Sequence, residues 1–213
     1  MVEGSYACGN SQKSLLGITI GEMLNRIAAA HPESDALVSV HQDIRWTYAE
    51  FLERVDTLAR ALMALDVERG DRVAIWALNY AEWVVTQFAT AKIGAIMVNI
   101  NPAYRTYEFN YAMKQSEVQT LLIQGRFKTS DYVGMFYESC PEAFEAKPGR
   151  INSDKFPFLK NVVFLGDIPY NGMYTWDDLL AKADLISPDE LREREESLDF
   201  DDAVNIQYTS GTT

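Results

Sequence analysis

The chain has 213 residues, 47% hydrophobic and 12% aromatic, which is enough apolar material for one large core or two small ones and excludes a disordered chain. A formal charge of −12 argues against a nucleic-acid backbone or an anionic membrane as partner, since both would repel it. The two cysteines, Cys8 and Cys140, lie far apart with no CxxC or metal-ligand spacing, so free thiols in a reduced compartment are expected rather than a disulfide framework.

Met1-Val2-Glu3-Gly4-Ser5 lacks the basic start of a secretory signal, and charge interrupts every apolar run before it could span a bilayer. A soluble cytoplasmic protein is expected. Residues 1–17 are small and polar without periodicity and read as a loose lead-in. Thr19-Ile20-Gly21-Glu22 has the form of a capping box, and Ile20, Met23, Leu24, Ile27 and Ala28 make one apolar face before Pro32 closes the helix. Ala36 to Val40 and Ile44 to Trp46 are short β-type runs around His41-Gln42-Asp43, a hairpin with a three-residue loop. His31 and His41, at a helix end and in a turn, read as solvated.

A second capping box, Thr47-Tyr48-Ala49-Glu50, opens a helix in which Phe51, Val55, Leu58, Leu62 and Leu65 recur at helical spacing up to Gly70. Val73 to Trp76, Ile96 to Ile100 and Thr120 to Ile123 are strand-like. Between them, Val84, Phe88 and Ala91, then Phe109, Ala112, Met113 and Ser116, mark the inner faces of two helices. Alternation of this kind predicts parallel βαβ units with right-handed crossovers, hence a doubly wound, mostly parallel sheet flanked by helices. A further helix, Ser130 to Ser139, turns Tyr132, Val133, Phe136 and Cys140 inward. After Pro141 no period survives through residue 160, which predicts a long, surface-exposed, mobile connection.

Val162 to Leu165 resumes as a strand, Thr175 caps a short helix through Ala183, and Ser187-Pro188-Asp189-Glu190 starts another. Glu193, Glu195, Glu196, Asp199, Asp201 and Asp202 then accumulate with only Arg192 and Arg194 against them. They read as a solvated face, because no spacing gathers them on one ion; no metal site is expected. Ala203 to Tyr208 alternates as a last strand and feeds Thr209-Ser210-Gly211-Thr212-Thr213. Glycine lets successive N–H groups converge, and the hydroxyls can donate to phosphoryl oxygens or ligate Mg²⁺. By composition alone the same stretch reads more readily as a polar tail.

Tyr208-Thr209-Ser210-Gly211-Thr212-Thr213 resembles the opening of the phosphate-loop signature of the adenylate-forming (AMP-binding) superfamily, which continues Gly-x-Pro-Lys-Gly. Gly70-Asp71-Arg72-Val73-Ala74-Ile75, Asn79, Glu82-Trp83, Lys92-Ile93-Gly94-Ala95 and Asn99-Ile100-Asn101-Pro102-Ala103-Tyr104 resemble further landmarks of the family in its order. Phe127-Lys128-Thr129, Cys140-Pro141-Glu142 and Asp202 to Gln207 are most similar to the medium-chain fatty acyl-CoA ligases.

The resemblance implies that residues 18–213 form the first α/β subdomain of such an enzyme, the front part of a longer chain. Its substrates would be a fatty acid, ATP with Mg²⁺, and coenzyme A. It further implies that Thr209, Ser210, Gly211, Thr212 and Thr213 hold ATP phosphates, while the catalytic and adenine-contacting residues lie beyond Thr213, so that none is assigned here and the chain alone is inactive. Two other readings stay open: a luciferase-like or amino-acid-activating member, and a non-catalytic doubly wound binding module. A homodimer is compatible with the sequence. Turn geometry accounts for Gly70, Gly94 and Pro102, and core packing for Trp83.

Overall fold

The computed structural model describes residues 16–209. Its first 15 residues, and with them most of the expected lead-in, lie outside the described part. Helix α1 (Ile20–Ala30) starts where Thr19 accepts the Glu22 N–H at 3.1 Å; Glu22 itself pairs with Arg26, so only half of the expected capping box forms. The hairpin β1 (Asp35–Ser39) and β2 (Ile44–Thr47) turns through a 3-10 segment, Val40–Gln42, and Asp43 at φ 53°. Gln42 caps the N-terminus of the next-but-one helix, accepting from Ala81 N–H at 2.7 Å. His41 is exposed and stands edge-on to Tyr80.

Helix α2 (Tyr48–Met63) opens with a complete capping box and buries Phe51, Val55, Leu58 and Leu62. Each such side chain contributes roughly 1.5–3 kcal/mol on leaving water. Strands β3 (Arg72–Trp76), β4 (Ile96–Asn99) and β5 (Thr120–Ile123) alternate with α3 (Ala81–Ile93) and α4 (Thr106–Gln115). A two-residue-strand hairpin, β6 (Arg126–Phe127) and β7 (Ser130–Asp131), follows β5 and was not expected; Asp131 then caps α5 (Tyr132–Ser139). The remaining elements are β8 (Asn161–Phe164), β9 (Tyr174–Thr175), α6 (Trp176–Leu180), α7 (Pro188–Glu196) and β10 (Asn205–Gln207).

Six strands form one sheet in the order β10-β4-β3-β5-β8-β9, and every neighbouring pair is parallel. The chain enters at β3, moves out to β4, then returns to the other side of β3 at β5. That reversal makes the fold doubly wound, as the βαβ rhythm predicts. Successive strand residues face opposite ways, so two cores result. Val73, Ile75, Met97, Leu122 and Val163 meet α1, α2, α3 and α7 on one face. Ala74, Trp76, Val98, Leu121 and Ile123 meet α4 and α5 on the other.

Three expectations need correction. In α3 Ala91 is buried as expected but Val84 and Phe88 are only partly covered, while Val85, Thr86, Ala89, Thr90, Lys92 and Ile93 are buried too. The helix is enclosed between the sheet and α1 and α2, so a single inner face does not describe it. Residues 141–160 are not a mobile surface connection: Ile151, Phe156 and Leu159 are buried and close the second core. Their irregular spacing hid them from any period-based reading. The acidic run is only partly solvated. Glu195 is largely enclosed beside Lys92 Nζ at 3.2 Å, and Asp202 binds Arg69 at 2.6 Å.

Candidate functional site

The carboxyl ends of β3, β4, β5, β8 and β10 line one edge of the sheet, and in open α/β folds that edge is where ligands sit. Buried aromatics fasten its loops from below. Trp76 stacks on Phe109 at 4.3 Å and donates through Nε1 to the Asn101 carbonyl at 3.2 Å, while Tyr132 donates its hydroxyl to the Pro102 carbonyl at 2.9 Å. These contacts fix the Asn101-Pro102-Ala103-Tyr104 turn. Between β3 and β5, where the strand order reverses, Gln124 accepts from Leu78 N–H and donates to the Tyr80 hydroxyl, each at 3.0 Å. Arg105 at the head of α4 and Lys128 of the β6–β7 hairpin bring positive charge to this edge of an otherwise acidic protein, while Arg126 of that hairpin is paired with Asp131 at 2.9 Å.

The five residues singled out as phosphate-binding begin at the end of β10. Thr209 is exposed and stands two positions past Gln207, the last residue paired to β4. Ser210, Gly211, Thr212 and Thr213 lie outside the described residues. On either side of the exit the strand is tied by polar side chains, of which periodicity singled out only Ser116. Asn99 Nδ2 donates to Gln207 Oε1 at 2.7 Å on the α3 face, and the Tyr208 hydroxyl meets Ser116 Oγ at 2.8 Å on the α4 face. Polar residues in otherwise apolar inner strands were the available signal.

The segment leading to β10 is held by charge. Lys92, 1% exposed, has its Nζ shared between Asp56, Asn25 Oδ1 at 2.9 Å and Glu195. Burial pushes the Glu195 carboxyl up despite that lysine. Arg194 binds Glu68 at 2.8 Å, and Arg69 binds both Asp202 and the Ser197 carbonyl. The Asp199 N–H, and after it Arg69, hold the Asp202 carboxyl below the usual aspartate range. Gly94 has φ 73°, and a Cβ there would stand 2.5 Å from Leu198 Cδ2, so this landmark glycine lets α7's exit close over the sheet. Among the described residues no three His, Cys, Asp or Glu side chains gather as a metal site, and no helix is long and apolar enough to cross a membrane.

Residues 24–213 match the family described as AMP-binding enzyme. The chain belongs to that family. This AMP-binding family member is 43% identical over 199 residues to YngI of Bacillus subtilis (strain 168), an acyl-CoA synthetase by name, covering 93% of this chain and 36% of that protein. It is 37% identical over 210 residues to the mitochondrial medium-chain acyl-CoA ligase ACSF2 of Homo sapiens, covering 98% of this chain and 34% of that one. The chain thus spans about a third of the length of these curated relatives, at 36% and 34%.

Solved structures share the fold. The long-chain-fatty-acid-CoA ligase FadD1 of Archaeoglobus fulgidus aligns with a TM-score of 0.69 at 20% identity, over 98% of this chain and 38% of its own. The anthranilate CoA ligase AuaEII, in complex with anthranoyl-AMP, aligns at 0.68 and 22%, over 94% and 34%.

Proposed function

We propose that this chain is part of an ATP-dependent fatty acyl-CoA ligase, with residues 18–213 as one α/β subdomain and residues 1–17 leading into it. In this reading Thr209, Ser210, Gly211, Thr212 and Thr213 hold the β and γ phosphates of ATP. One observation carries it: Thr209 leaves the sheet at the carboxyl end of a parallel strand, where backbone N–H groups and hydroxyls can converge on an anion. The names of the relatives support the acyl substrate, and the human one supports a medium chain.

The chemistry is that of the adenylate-forming family to which the chain belongs. An oxygen of the fatty-acid carboxylate attacks the α phosphorus, the bond to the bridging oxygen breaks, and pyrophosphate leaves with the electron pair. Coenzyme A sulfur then attacks the acyl carbon and AMP departs. The loop's donors keep the leaving phosphates in line and spread their growing charge. Mg²⁺ supplies further neutralisation when bound, and the loop hydroxyls are the groups of this chain suited to touch it. Arg105 and Lys128 draw polyanionic substrates toward the same edge.

ATP–pyrophosphate exchange by the full-length protein, with octanoate, benzoate and a set of amino acids, tests the reading. Exchange with octanoate is expected. Exchange with amino acids alone would replace it by an amino-acid-activating function, and no exchange with any acid would remove the adenylation chemistry.

A further inference from the structure

An edge strand of three residues is a weak foundation for a loop that must hold phosphates within tenths of an ångström. Strand β10 pairs with β4 through Asn205↔Met97, Ile206↔Val98 and Gln207↔Asn99, and among the described residues it has no neighbour on its other side. Backbone pairing therefore leaves its outer end free to pivot. Side chains restrict that freedom. Ile206 and Tyr208 turn toward the α4 core, where the Tyr208 hydroxyl meets Ser116 Oγ, itself buried. Asn205 and Gln207 turn the other way, and Gln207 Oε1 accepts a hydrogen bond from Asn99 Nδ2 at 2.7 Å.

Asn99 is unusual in its strand. Ile96, Met97 and Val98 before it are apolar, as a strand covered on both faces requires. Asn99 is 9% exposed, and its Oδ1 has no hydrogen-bond partner among the described residues. A buried amide with an unsatisfied oxygen is destabilising, so an apolar residue would be the better choice for stability alone. Its amide nitrogen instead points at Gln207, the side chain two residues ahead of Thr209.

We propose that Asn99 is a positioning residue for the proposed phosphate loop. Its amide holds Gln207 from one face while Ser116 holds Tyr208 from the other, and this two-sided clamp fixes the direction in which the chain leaves β10. The inference rests on the phosphate-holding role of Thr209 to Thr213. Asn99 touches no reacting atom; it acts through Gln207.

The test is a double-mutant cycle in the full-length protein, reading the adenylation and thioester half reactions separately. Asn99→Ala and Gln207→Ala should each raise the KM for ATP about tenfold, and together also about tenfold, because both remove one contact. Thioester formation from supplied acyl-adenylate should change less than twofold. Multiplying effects, or equal losses in both half reactions, would overturn the proposal.

Should a variant fold poorly, amide exchange on the 213-residue chain decides. Asn99→Ala should speed exchange at Ile206, Gln207 and Tyr208 at least tenfold and leave Val73 to Trp76 unchanged, and unchanged exchange at β10 would overturn the clamp. Replacing Thr209 and Thr212 by valine separates the two ideas. If that pair leaves ATP use intact, the phosphate-loop reading fails; if it impairs ATP use while Asn99→Ala does not, only the clamp fails.

Discussion

Strand β3 and strand β10 belong to one parallel sheet and are held by opposite means. In β3, Val73, Ala74, Ile75 and Trp76 are fully buried, with β4 on one side, β5 on the other and helices over both faces. Its stability is apolar area removed from water, spread over many contacts. In β10 no residue is buried, among the described residues only β4 pairs with it, and the ties are an amide pair, a hydroxyl pair and the Arg69–Asp202 bridge upstream. Apolar burial is non-directional and tolerates small shifts, whereas a hydrogen bond specifies a distance and an angle. The centre of the sheet is thus built for strength and its outer strand for aim, the property a phosphate loop needs.

The comparison is sharpest where the loop itself is changed. Replacing Thr209 and Thr212 together by valine keeps β-branched volume and removes two hydroxyls. At about 1.5–3 kcal/mol for each bond to a charged group, kcat/KM for adenylation in the full-length protein should fall by roughly two to four powers of ten. Melting temperature should hardly move. A parallel loss of stability would break the division between aim and strength.

Trp76→Ala is the converse experiment. It empties a stacked site in the second core and frees the Asn101 carbonyl, and should cost about 3–5 kcal/mol by urea unfolding. Lys92→Met comes next. It leaves Asp56 and Glu195 facing an apolar stem, but Asp56 is partly solvated and Glu195 can take up a proton, so the loss should fall at or below the lower end of the ~3–5 kcal/mol typical of broken buried pairs. A gain in stability would mean that desolvation of the lysine outweighs its three partners.

The smallest effects concern pH. The Asp202 carboxyl is lowered in the folded chain, so its contribution is present above the unfolded aspartate value of about 3.9 and is lost as pH falls through the folded one. Glu195 has the opposite sign. Burial raises its folded value, so the native chain takes up a proton first and gains stability as pH falls toward the ordinary glutamate value of about 4.3. Urea midpoints across that window should fall more steeply with acid in Glu195→Gln. Asp202→Asn should instead flatten the decline at the lowest pH, and the same slope in all three proteins would refute both assignments.

Much of the fold was determined by local pattern. Thr47, Thr175 and Ser187 form complete capping boxes, as their spacing to Glu50, Asp178 and Glu190 requires, because a cap is settled within one turn of chain. The inner residues of α4 and α5 follow from helical period, since each of these helices lays one face on the sheet. The parallel pairing of β3 with β4 and β5 follows from crossover length, though their order does not. Of the proposed site, the strand that leads to it was legible: β10 forms and Thr209 follows it, while Ser210 to Thr213 lie outside the described residues.

Tertiary structure alone decided the rest. Glu195 and Glu196 are chemically near-identical neighbours, yet only Glu195 meets Lys92, because α7 lands on α3 with that side inward. Phe156 and Leu159 enter the core from a segment without a period. Asn99 and Gln207 are 108 positions apart and become partners only when β10 takes its register beside β4. Register is set by packing across the whole sheet, a sum over distant residues that no local window contains.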